Sequence, residues 1–510
     1  DGKMVNGKMK KIDSAAVVPI FLTDLQENPA VAANTYRDGI KIDVSKYPNA
    51  KPQFSPRFGF NYKPFDDENG SLQIRGGTGL FTGTPPYVWI SNQAGNNGVL
   101  FGDLNVRAVK DKNDNIISDG RPSLGFTGNM DTYKPAEGSA TRSDIAITDP
   151  DFKYPSLWKS NIAADYKFGD GWVATVELLY SKDINAIYHD NIGLYRTEQF
   201  VNDGGAGNAR PYYNGYYSDR EGNQKAANHV VMLRNTSKGH SLYTTFQLQK
   251  NFVDGILKGL YLNGSYSFGQ SRGVTDGTSS VATSAWKYRA ALDGNAEEVG
   301  YTAGSFDGRL LLSASYTANW SKYAATSFGL IYQRYRPFRY SYCYNGDANG
   351  DSQFSNDLMY IPANFDEVKD HLLPGDFDSQ EDAWKAMNAF IEQDPYLSKH
   401  RGEYAERNGA VAPFANQLDL SVSHDIKIYQ KNGRSHTLRF SFNIANFLNL
   451  LNRNWGVVQT TVLGNQQYQF LTIPKGQGPS AANNYTLKYT MAKDLDETFK
   501  DNLNDVSRWQ

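Results

Sequence analysis

PRFGFNYKPFDDENGSLQIRGGTGLFT, residues 56–82, is the stretch that decides the fold of this chain. Its apolar and polar residues alternate, so that Phe58 and Ile74 belong to apolar rows while Arg57 and Arg75 belong to polar rows. The polar turn FDDENG interrupts the alternation, which then resumes. A period of two is typical of β-strands, and a short turn between two such runs predicts an antiparallel hairpin.

The same pattern recurs along the chain. It predicts five hairpins, at residues 56–82, 156–188, 241–270, 309–336 and 416–447. Short turns join the two strands of each hairpin, whereas connections of several tens of residues join successive hairpins. Globular domains rarely carry so many loops longer than about a dozen residues, but outer-membrane barrels have short periplasmic turns and long extracellular loops. We therefore expect an all-β fold, an antiparallel transmembrane β-barrel.

The composition suits a barrel and argues against other classes. The 510 residues include 33 Tyr, 27 Phe and 46 Gly, which favour strands and turns. The net charge of −2 leaves no basic excess to neutralise phosphates, so we expect no nucleic-acid partner. A single cysteine, Cys343, excludes an internal disulfide. The mean hydropathy of −0.57 is compatible with a membrane barrel, because lumen-facing residues and loops are polar.

A large soluble β-sandwich is the alternative interpretation of these strands, and its outward face would be the polar one. In a membrane barrel the apolar row faces lipid, since an Arg at the bilayer midplane costs roughly 2–4 kcal/mol. The predicted lipid-facing residues are Phe58, Phe60, Leu72, Ile74, Ile162, Val176, Leu260, Leu262, Leu312, Leu420 and Phe440. The predicted lumen-facing residues are Arg57, Arg75, Lys159, Glu177, Asn263, Ser313 and Arg439.

Only one segment has a helical pattern. Ser379 is a suitable N-cap for SQEDAWKAMNAFIEQD, and Asp382 stands at the capping-box position. The apolar residues then recur at helical spacing; they are Ala383, Trp384, Met387, Phe390 and Ile391. We expect one short helix, inside a long extracellular loop, packed against other loops.

The loop DANGDSQFSND is a candidate cation site. It places Asp347, Asn349 and Asp351 at alternate positions around a glycine, followed by Asp357. Oxygen ligands at this spacing suit a hard cation such as Ca²⁺, although Leu358 stands where an EF-hand would need Glu. The alternative is an Asp/Asn turn held by its own hydrogen bonds to the backbone.

Two aromatic clusters lie in predicted extracellular loops. The stretches PPYVWI (85–90) and YYNGYY (212–217) could stack on a sugar or a peptide, and the candidate ligand-binding residues are Tyr87, Trp89, Tyr213 and Tyr216. Packing of the loops on each other is the alternative. Catalytic motifs are weak: GHSLY (239–243) lacks the second glycine of a nucleophile elbow, and the histidines include no HExxH pair. We expect no enzyme.

Several longer stretches resemble one family. FIEQDPYLSKHRGEYAERNGAVAPFANQLDL (390–420), LRFSFNIANFLNLLNRNWGVVQ, NGDANGDSQFSNDLMYIP (345–362) and SPRFGFNY (55–62) look like the C-terminal barrel of a TonB-dependent outer-membrane transporter. The most similar branch is the Oar-like one, related more distantly to the SusC/RagA transporters. The matching stretches run from about residue 50 to the end, and FNIANFLN and RNGAVAPF are the most specific of them.

The resemblance implies a 22-strand barrel with a plug in its lumen. Residues 1–50 would be a loop or partial strand leading into the barrel, and residues 51–510 its C-terminal part, with the N-terminal plug and first strands outside this chain. The implied partners are outer-membrane lipid, the TonB complex acting through that missing N-terminal region, and a surface lipoprotein. The implied localisation is the cell outer membrane.

The function that follows is active transport across the outer membrane. The cargo would be a large or scarce nutrient such as an oligopeptide, a glycan or a metal chelate, recognised by the loops at 83–155, 189–240 and 337–415. The alternative is a self-contained barrel of ten to twelve strands that acts as an adhesin or a surface enzyme.

Overall fold

The computed structural model describes most of the chain and contains one dominant sheet. The described residues are 2–5, 8–11, 47–49, 51–96, 109–110, 116–117, 129, 144–205, 207–216, 229–277, 279–429, 434–463 and 467–510. The dominant sheet has eleven strands, of which ten are long. We call these ten strands the large sheet.

The large sheet follows the predicted hairpins closely. Its strands are β1 Arg57–Asp67, β2 Gly70–Thr82, β3 Ser156–Phe168, β4 Trp172–Asp183, β5 Gly239–Asn251, β6 Leu260–Gly273, β7 Arg309–Ser321, β8 Ala324–Tyr335, β9 Ala415–Tyr429 and β10 Ser435–Ile444. Each strand pairs antiparallel with the next one in sequence. All five predicted hairpins are therefore confirmed, and the sheet is an up-and-down meander.

The register separates the two predicted faces. Residues directly opposite in antiparallel strands point to the same face, and the pairing Arg75↔Ala163↔Glu177 continues across the sheet. Followed in this way, every predicted lumen-facing residue lies on one face and every predicted lipid-facing residue on the other. Arg75 donates to Asp165 at 2.9 Å on the polar face, whereas Phe58 and Phe440 are exposed on the apolar face.

Aromatic side chains gather at the short turns. Tyr62, Trp320 and Tyr323 are exposed beside the turns of their hairpins. The rings of Phe168 and Trp172 stack across a turn with centroids 6.3 Å apart. This band is the girdle expected where a barrel meets the membrane interface.

The hairpin ends differ from the prediction in two places. β4 ends at Asp183, and residues Ala186–Asn191 leave the large sheet to pair with Val230–Thr236. β10 ends at Ile444, and Phe447–Leu451 forms a helix instead of continuing the strand. In both places the chain passes from the large sheet into one of the long connections.

The long connections form a second, folded region rather than open loops. We call it the cap, and it comprises the described residues of 83–155, 184–238, 274–308, 336–414 and 445–510. Its short strands pair as Ile145–Thr148 with Val230–Thr236, Leu194–Phe200 with Pro211–Tyr216, Arg339–Asn345 with Ala410–Val411 and Gln467–Thr472, Gln467–Thr472 with Thr490–Met491, Tyr360–Ile361 with Glu403–Tyr404, and Val458–Thr461 with Phe499–Asn502. Three further strand contacts are Gly300–Tyr301 with β6, Gly2–Val5 with Lys8–Lys11, and Val109–Lys110 with Ile116–Ile117.

The core of the cap is rich in tyrosine. Arg339–Asn345 runs parallel to Gln467–Thr472, and this pair carries much of the core. The fully buried aromatic residues here are Tyr340, Tyr342, Tyr344, Phe390, Tyr468, Phe470 and Tyr489. The Tyr342 hydroxyl donates to Asp394 at 2.7 Å. A core of this kind behaves as a folded domain seated on the end of the sheet.

Four α-helices lie in the cap: α1 Tyr87–Gly95, α2 Ala282–Lys287, α3 Gln380–Gln393 and α4 Phe447–Leu451. Short 3₁₀ turns occupy Phe365–Glu367, Leu397–Lys399, Ala481–Asn483 and Asp505–Ser507. The predicted helix is α3, with Ser379 as its N-cap and Ala383, Met387, Phe390 and Ile391 buried. The expectation of a single helix was wrong. None of the described helices is long and apolar enough to cross a membrane.

Candidate ligand cavity and acidic cluster

A cavity lies where the cap meets β2, β3 and β4. Its volume is about 480 Å³, within the usual range for small-molecule sites. One wall is formed by Pro85, Pro86 and Trp89 at the start of α1, and another by residues 275–277. Lys159, on the polar face of the large sheet, also lines the cavity. The cavity therefore opens at the junction between the polar face and the cap.

Local sequence fixes the position of Trp89. Two prolines in succession cannot continue a strand ladder, and Pro86 precedes the first helical residue. The Trp89 backbone N–H donates to the Pro86 carbonyl at 2.9 Å. Its indole Nε1 donates to the Ser279 carbonyl at 2.8 Å, and its ring meets His189 edge-on at 5.4 Å. The indole is thus held with one edge bonded and with part of its surface on the cavity.

Few charged groups reach the cavity. Lys159 lies over the Phe81 ring at 5.9 Å, and the carboxylates are Asp183 and Asp276. Asp276 already accepts from the Ala303 N–H at 2.8 Å and from Asn408 Nδ2 at 3.0 Å. The cavity therefore offers an aromatic and proline surface with a few polar groups, which is suited to binding and orienting a ligand.

The structure separates the four aromatic residues that the sequence singles out. Tyr87 is 65% exposed and Trp89 lines the cavity, whereas Tyr213 and Tyr216 are only 1% and 9% exposed. The Tyr213 hydroxyl donates to Asp293 at 2.6 Å, and the Tyr216 hydroxyl lies 3.2 Å from His229 Nε2. Burial raises the pKa of Tyr216. The two buried tyrosines belong to the core of the cap, so a ligand in this conformation would meet the first pair.

The acidic residues of the DANGDSQFSND loop form one cluster. Carboxylate oxygens of Asp347, Asp351 and Asp357 lie within 4.8 Å of one another. Asp347 accepts from the Gly350 N–H at 2.6 Å and the Ser352 N–H at 2.7 Å. These bonds hold the Asp347 carboxylate in place. Burial raises the pKa of Asp357 to about 7, although Arg210 opposes this increase.

Asn349 lies beside the cluster. Its Oδ1 accepts from the Asp351 N–H at 2.9 Å, and its Nδ2 donates to Asp351 Oδ2 at 3.3 Å. It therefore orients Asp351 with both ends of its amide. The aspartate turn that the sequence offered as the alternative to a cation site is present, and the convergence of the three carboxylates is present with it.

A buried arginine, which the sequence analysis did not identify, joins this cluster to the cap core. Arg210 is fully buried, with Nε 3.0 Å from Asp203 and Nη1 2.9 Å from Asp357. Its Nη2 donates to the Leu358 carbonyl. A charge without a partner is costly in the interior, so the two aspartates hold the arginine in place. No local motif marks Arg210, because its partners lie at other points of the sequence.

Comparison with solved structures gives distant likenesses. A mutant of the ferric enterobactin receptor PfeA from Pseudomonas aeruginosa is 9% identical, covering 81% of this chain and 36% of the receptor, with a TM-score of 0.36. The FrpB iron transporter from Neisseria meningitidis (F5-1 variant) is 7% identical, covering 77% of this chain and 43% of the transporter, with a TM-score of 0.26. The chain therefore spans less than half the length of these proteins. No curated protein matches it.

Comparison with protein families gives a match over most of the chain. Residues 3–480 match the family described as outer membrane beta barrel domain. This range contains all ten strands of the large sheet. The apolar face of that sheet, exposed along its whole width, is the face that such a family presents to lipid. The chain belongs to the outer membrane β-barrel domain family, and its large sheet spans the outer membrane.

Proposed function

We propose that this chain is the C-terminal barrel portion of a TonB-dependent transporter of the Oar-like branch, which takes up a large or scarce nutrient. The observation that carries the proposal is the cavity of about 480 Å³ at the junction of the polar face and the cap. A cap that is folded, with a binding cavity above a polar sheet face, suits capture at the cell surface followed by passage inward. The assignment to the Oar-like branch rests on the sequence resemblance.

The open edges of the large sheet support a larger barrel. Among the described residues, β1 pairs only with β2 and β10 only with β9. An unpaired edge is not stable in the bilayer core, because its backbone N–H and C=O groups would lack partners. We infer that further strands close the barrel, as in a 22-strand transporter with a plug.

Cargo recognition is assigned to the cavity. Trp89 supplies aromatic surface to the cavity, Tyr87 is exposed two residues before it, and Lys159 supplies one cation to the cavity wall. Aromatic faces stack on sugar rings and on peptide side chains alike. The cargo class is an oligopeptide, a glycan or a metal chelate, and the TonB complex and a surface lipoprotein are the proposed partners.

Uptake assays test this function against the adhesin alternative. A strain that lacks the gene is compared with its parent for uptake of a fluorescent oligopeptide mixture, a fluorescent oligosaccharide mixture and an iron chelate. We expect uptake of one class to fall, and removal of TonB to reproduce the fall. Unchanged uptake together with weaker surface adhesion would support the adhesin and overturn the transporter.

Variants then locate the cargo contact. Tyr87→Ala and Trp89→Ala should each weaken uptake of the responsive cargo about tenfold at low concentration, since loss of a stacked aromatic is worth about 1–1.5 kcal/mol. Trp455→Ala removes another exposed aromatic residue of the cap and serves as the control. Equal uptake by all three variants and the wild type would move the binding site elsewhere.

We also propose that Asp347, Asp351 and Asp357 hold a Ca²⁺ ion as a structural cofactor of the cap, with Asn349 orienting Asp351. The proposal is supported by the convergence of three carboxylates, two of them buried, within 4.8 Å. Hard oxygen ligands at 2.3–2.6 Å are what Ca²⁺ prefers. The ion would offset the repulsion among the three carboxylates and tie their loop to the core.

Calcium titration tests this cofactor. In the purified full-length protein, added Ca²⁺ should raise the unfolding midpoint of the cap, and Asp351→Asn should abolish the increase. Asp366→Asn, at an exposed aspartate of the cap, is the matched control and should retain it. An equal response in the wild type and in Asp351→Asn would rule out the site.

A further inference from the structure

Two arginines are buried side by side in the cap. Arg289 follows α2 and is 5% exposed, and Arg407 lies in the segment before β9 and is 4% exposed. Both donate from Nη1 to the same backbone oxygen, that of Val274. Two positive charges therefore converge on one point of the protein interior.

The remaining partners of both guanidinium groups are neutral. Arg289 Nη2 donates to the Gly294 carbonyl, and Arg407 Nη2 donates to the carbonyls of Gly273 and Gly300. Neither arginine forms an ion pair with a carboxylate in the part of the chain that the structure describes. The Nε atoms of both are buried without a hydrogen-bond partner. An unsatisfied buried donor costs about 1–3 kcal/mol, and more when it is charged.

The acidic groups of the neighbourhood are engaged elsewhere. Glu298 Oε2 accepts from the Leu292 N–H at 2.9 Å. The other acidic residues accept hydrogen bonds from the following side chains: Asp190 from Arg234, Asp293 from Tyr213, Glu406 from Arg272, and Asp276 from Asn408. Burial lowers the pKa of Arg407 to about 10, and Arg289 lowers it further while Asp276 and Glu298 oppose the shift. The pair thus lacks a direct counter-charge.

A small polar cavity lies against both arginines. Its volume is about 40 Å³. Ser341, Asn408 and Gln467 add hydroxyl and amide groups to its wall, and Asp276, which accepts from Asn408 Nδ2 at 3.0 Å, adds one carboxylate. A cavity needs about 10–15 Å³ on this measure to hold one water molecule, so this one has room for a small ion with a water or two and none for a nutrient-sized ligand. It is separate in character from the larger apolar cavity.

We propose that Arg289 and Arg407 bind one small monovalent anion in this cavity, of the size of chloride, nitrate or formate. The anion lies against the two arginines that line the cavity and supplies a counter-charge to them. Because Arg289 belongs to the connection between β6 and β7 and Arg407 to the one between β8 and β9, the anion joins two separate segments of the cap.

An anion-replacement experiment tests the site in the full-length protein in detergent. The unfolding midpoint of the cap is measured at constant ionic strength while sodium gluconate, whose anion is too large, is replaced by sodium chloride, nitrate or formate. We expect the midpoint to rise by about 1–3 °C for each tenfold increase of a small anion above its dissociation constant. Equal midpoints in all four salts would overturn the proposal.

Variants and a heavier anion complete the test. Arg407→Met should abolish the dependence on small anions, whereas Arg401→Met, at a cap arginine that donates to the Asn388 side chain at 2.8 Å, should keep it. A dependence that persists in Arg407→Met would contradict the assignment. Should that variant fail to fold, crystals of the wild type soaked in bromide decide: an anomalous peak beside both guanidinium groups supports the site, and water alone there overturns it.

Discussion

The large sheet and the cap are built on opposite rules from the same kinds of residue. In the sheet, Phe58 and Phe440 are 68% and 59% exposed, because the surrounding solvent is hydrocarbon and their face needs no cover. In the cap, Tyr342 and Tyr468 are fully buried in a protein core whose surroundings are water. The position of an aromatic residue in this chain is therefore set by the solvent around its region.

Charges show the same contrast. Arg75 on the polar face of the sheet is partly exposed and pairs with Asp165 across neighbouring strands. Arg210 in the cap is fully buried between two aspartates. Exposed pairs contribute little to stability, typically below about 1 kcal/mol, whereas breaking a buried pair leaves an uncompensated charge. The two regions should therefore respond differently to substitution.

The largest effect is expected from Arg210→Met. Removing the guanidinium leaves Asp203 and Asp357 buried without their cation, which should destabilise the cap by about 3–5 kcal/mol. Protease cutting of the cap in the purified protein should become much faster, while heat-modified gel mobility, which reports the large sheet, should change little. Arg196→Met is the control, because that arginine is 48% exposed and lies 3.5 Å from Asp293. A similar loss of protease resistance in Arg210→Met and Arg196→Met would contradict the expected difference between a buried and an exposed arginine.

The second-largest effect is expected from a substitution that destabilises the large sheet rather than the cap. Leu312→Arg places a charge on the lipid face of β7 and should cost roughly 2–4 kcal/mol near the midplane, which lowers the folded fraction seen by heat-modified mobility. Ser313→Arg, one residue along on the polar face, should assemble normally. Equal assembly of the two variants would show that the assignment of faces is wrong.

Protonation of His189 should weaken the cap as the pH falls. Burial lowers the pKa of His189 to about 4, with a smaller contribution from Arg289. The unfolded chain takes up this proton near its ordinary value of about 6.5, so His189 contributes a loss of cap stability as pH falls from about 6.5 to about 4, while Asp357, whose pKa burial raises to about 7, contributes in the opposite direction. The loss due to His189 should be about 3 kcal/mol, since one pKa unit corresponds to about 1.4 kcal/mol.

Urea unfolding of the cap at several pH values measures this loss by tryptophan fluorescence. His189→Gln should flatten the profile over that interval. His400→Gln, at a histidine with a 39% exposed side chain, is the control and should leave it unchanged. Identical profiles in the wild type and in His189→Gln would show that the proton on His189 does not affect cap stability.

The smallest effect is expected at the N-terminus of α3. Ser379 Oγ accepts from the Asp382 N–H at 3.1 Å, and replacing such a cap by Ala costs about 1 kcal/mol. Ser379→Ala should therefore speed hydrogen exchange in the first turn of α3 and leave the large sheet unchanged. Ser91→Ala, at an exposed serine of α1 in the same cap, should not alter exchange in α3.

The sheet could be predicted from the sequence because its information is local. Alternation with period two and a turn of a few residues define each hairpin, and the same alternation predicts both faces, as Arg75 and Leu312 illustrate. The helix α3 was predictable for a similar reason, since Ser379 and an apolar stripe lie within one segment. Local pattern was sufficient in both cases.

The cap could not be predicted in this way. Tyr213 looks like a loop aromatic in sequence, but its burial depends on Asp293, a residue of another connection. The short helix α1 has no side-chain cap, so no start signal marked it. The acidic cluster was predictable because Asp347 and Asp351 are close in sequence, whereas Arg210 was not, because its partner Asp357 is 147 residues away.

The parallel pairing of Arg339–Asn345 with Gln467–Thr472 has a consequence for the order of assembly. Contacts between distant segments form slowly, because the intervening chain must first be brought together. Each hairpin of the large sheet closes over a few residues. The cap core, in contrast, can form only after the strand Gln467–Thr472, which follows β10 in the sequence, is available. The sheet should therefore insert first, and the cap should fold late on its finished rim, so an assembly intermediate would expose the cap's tyrosines to water.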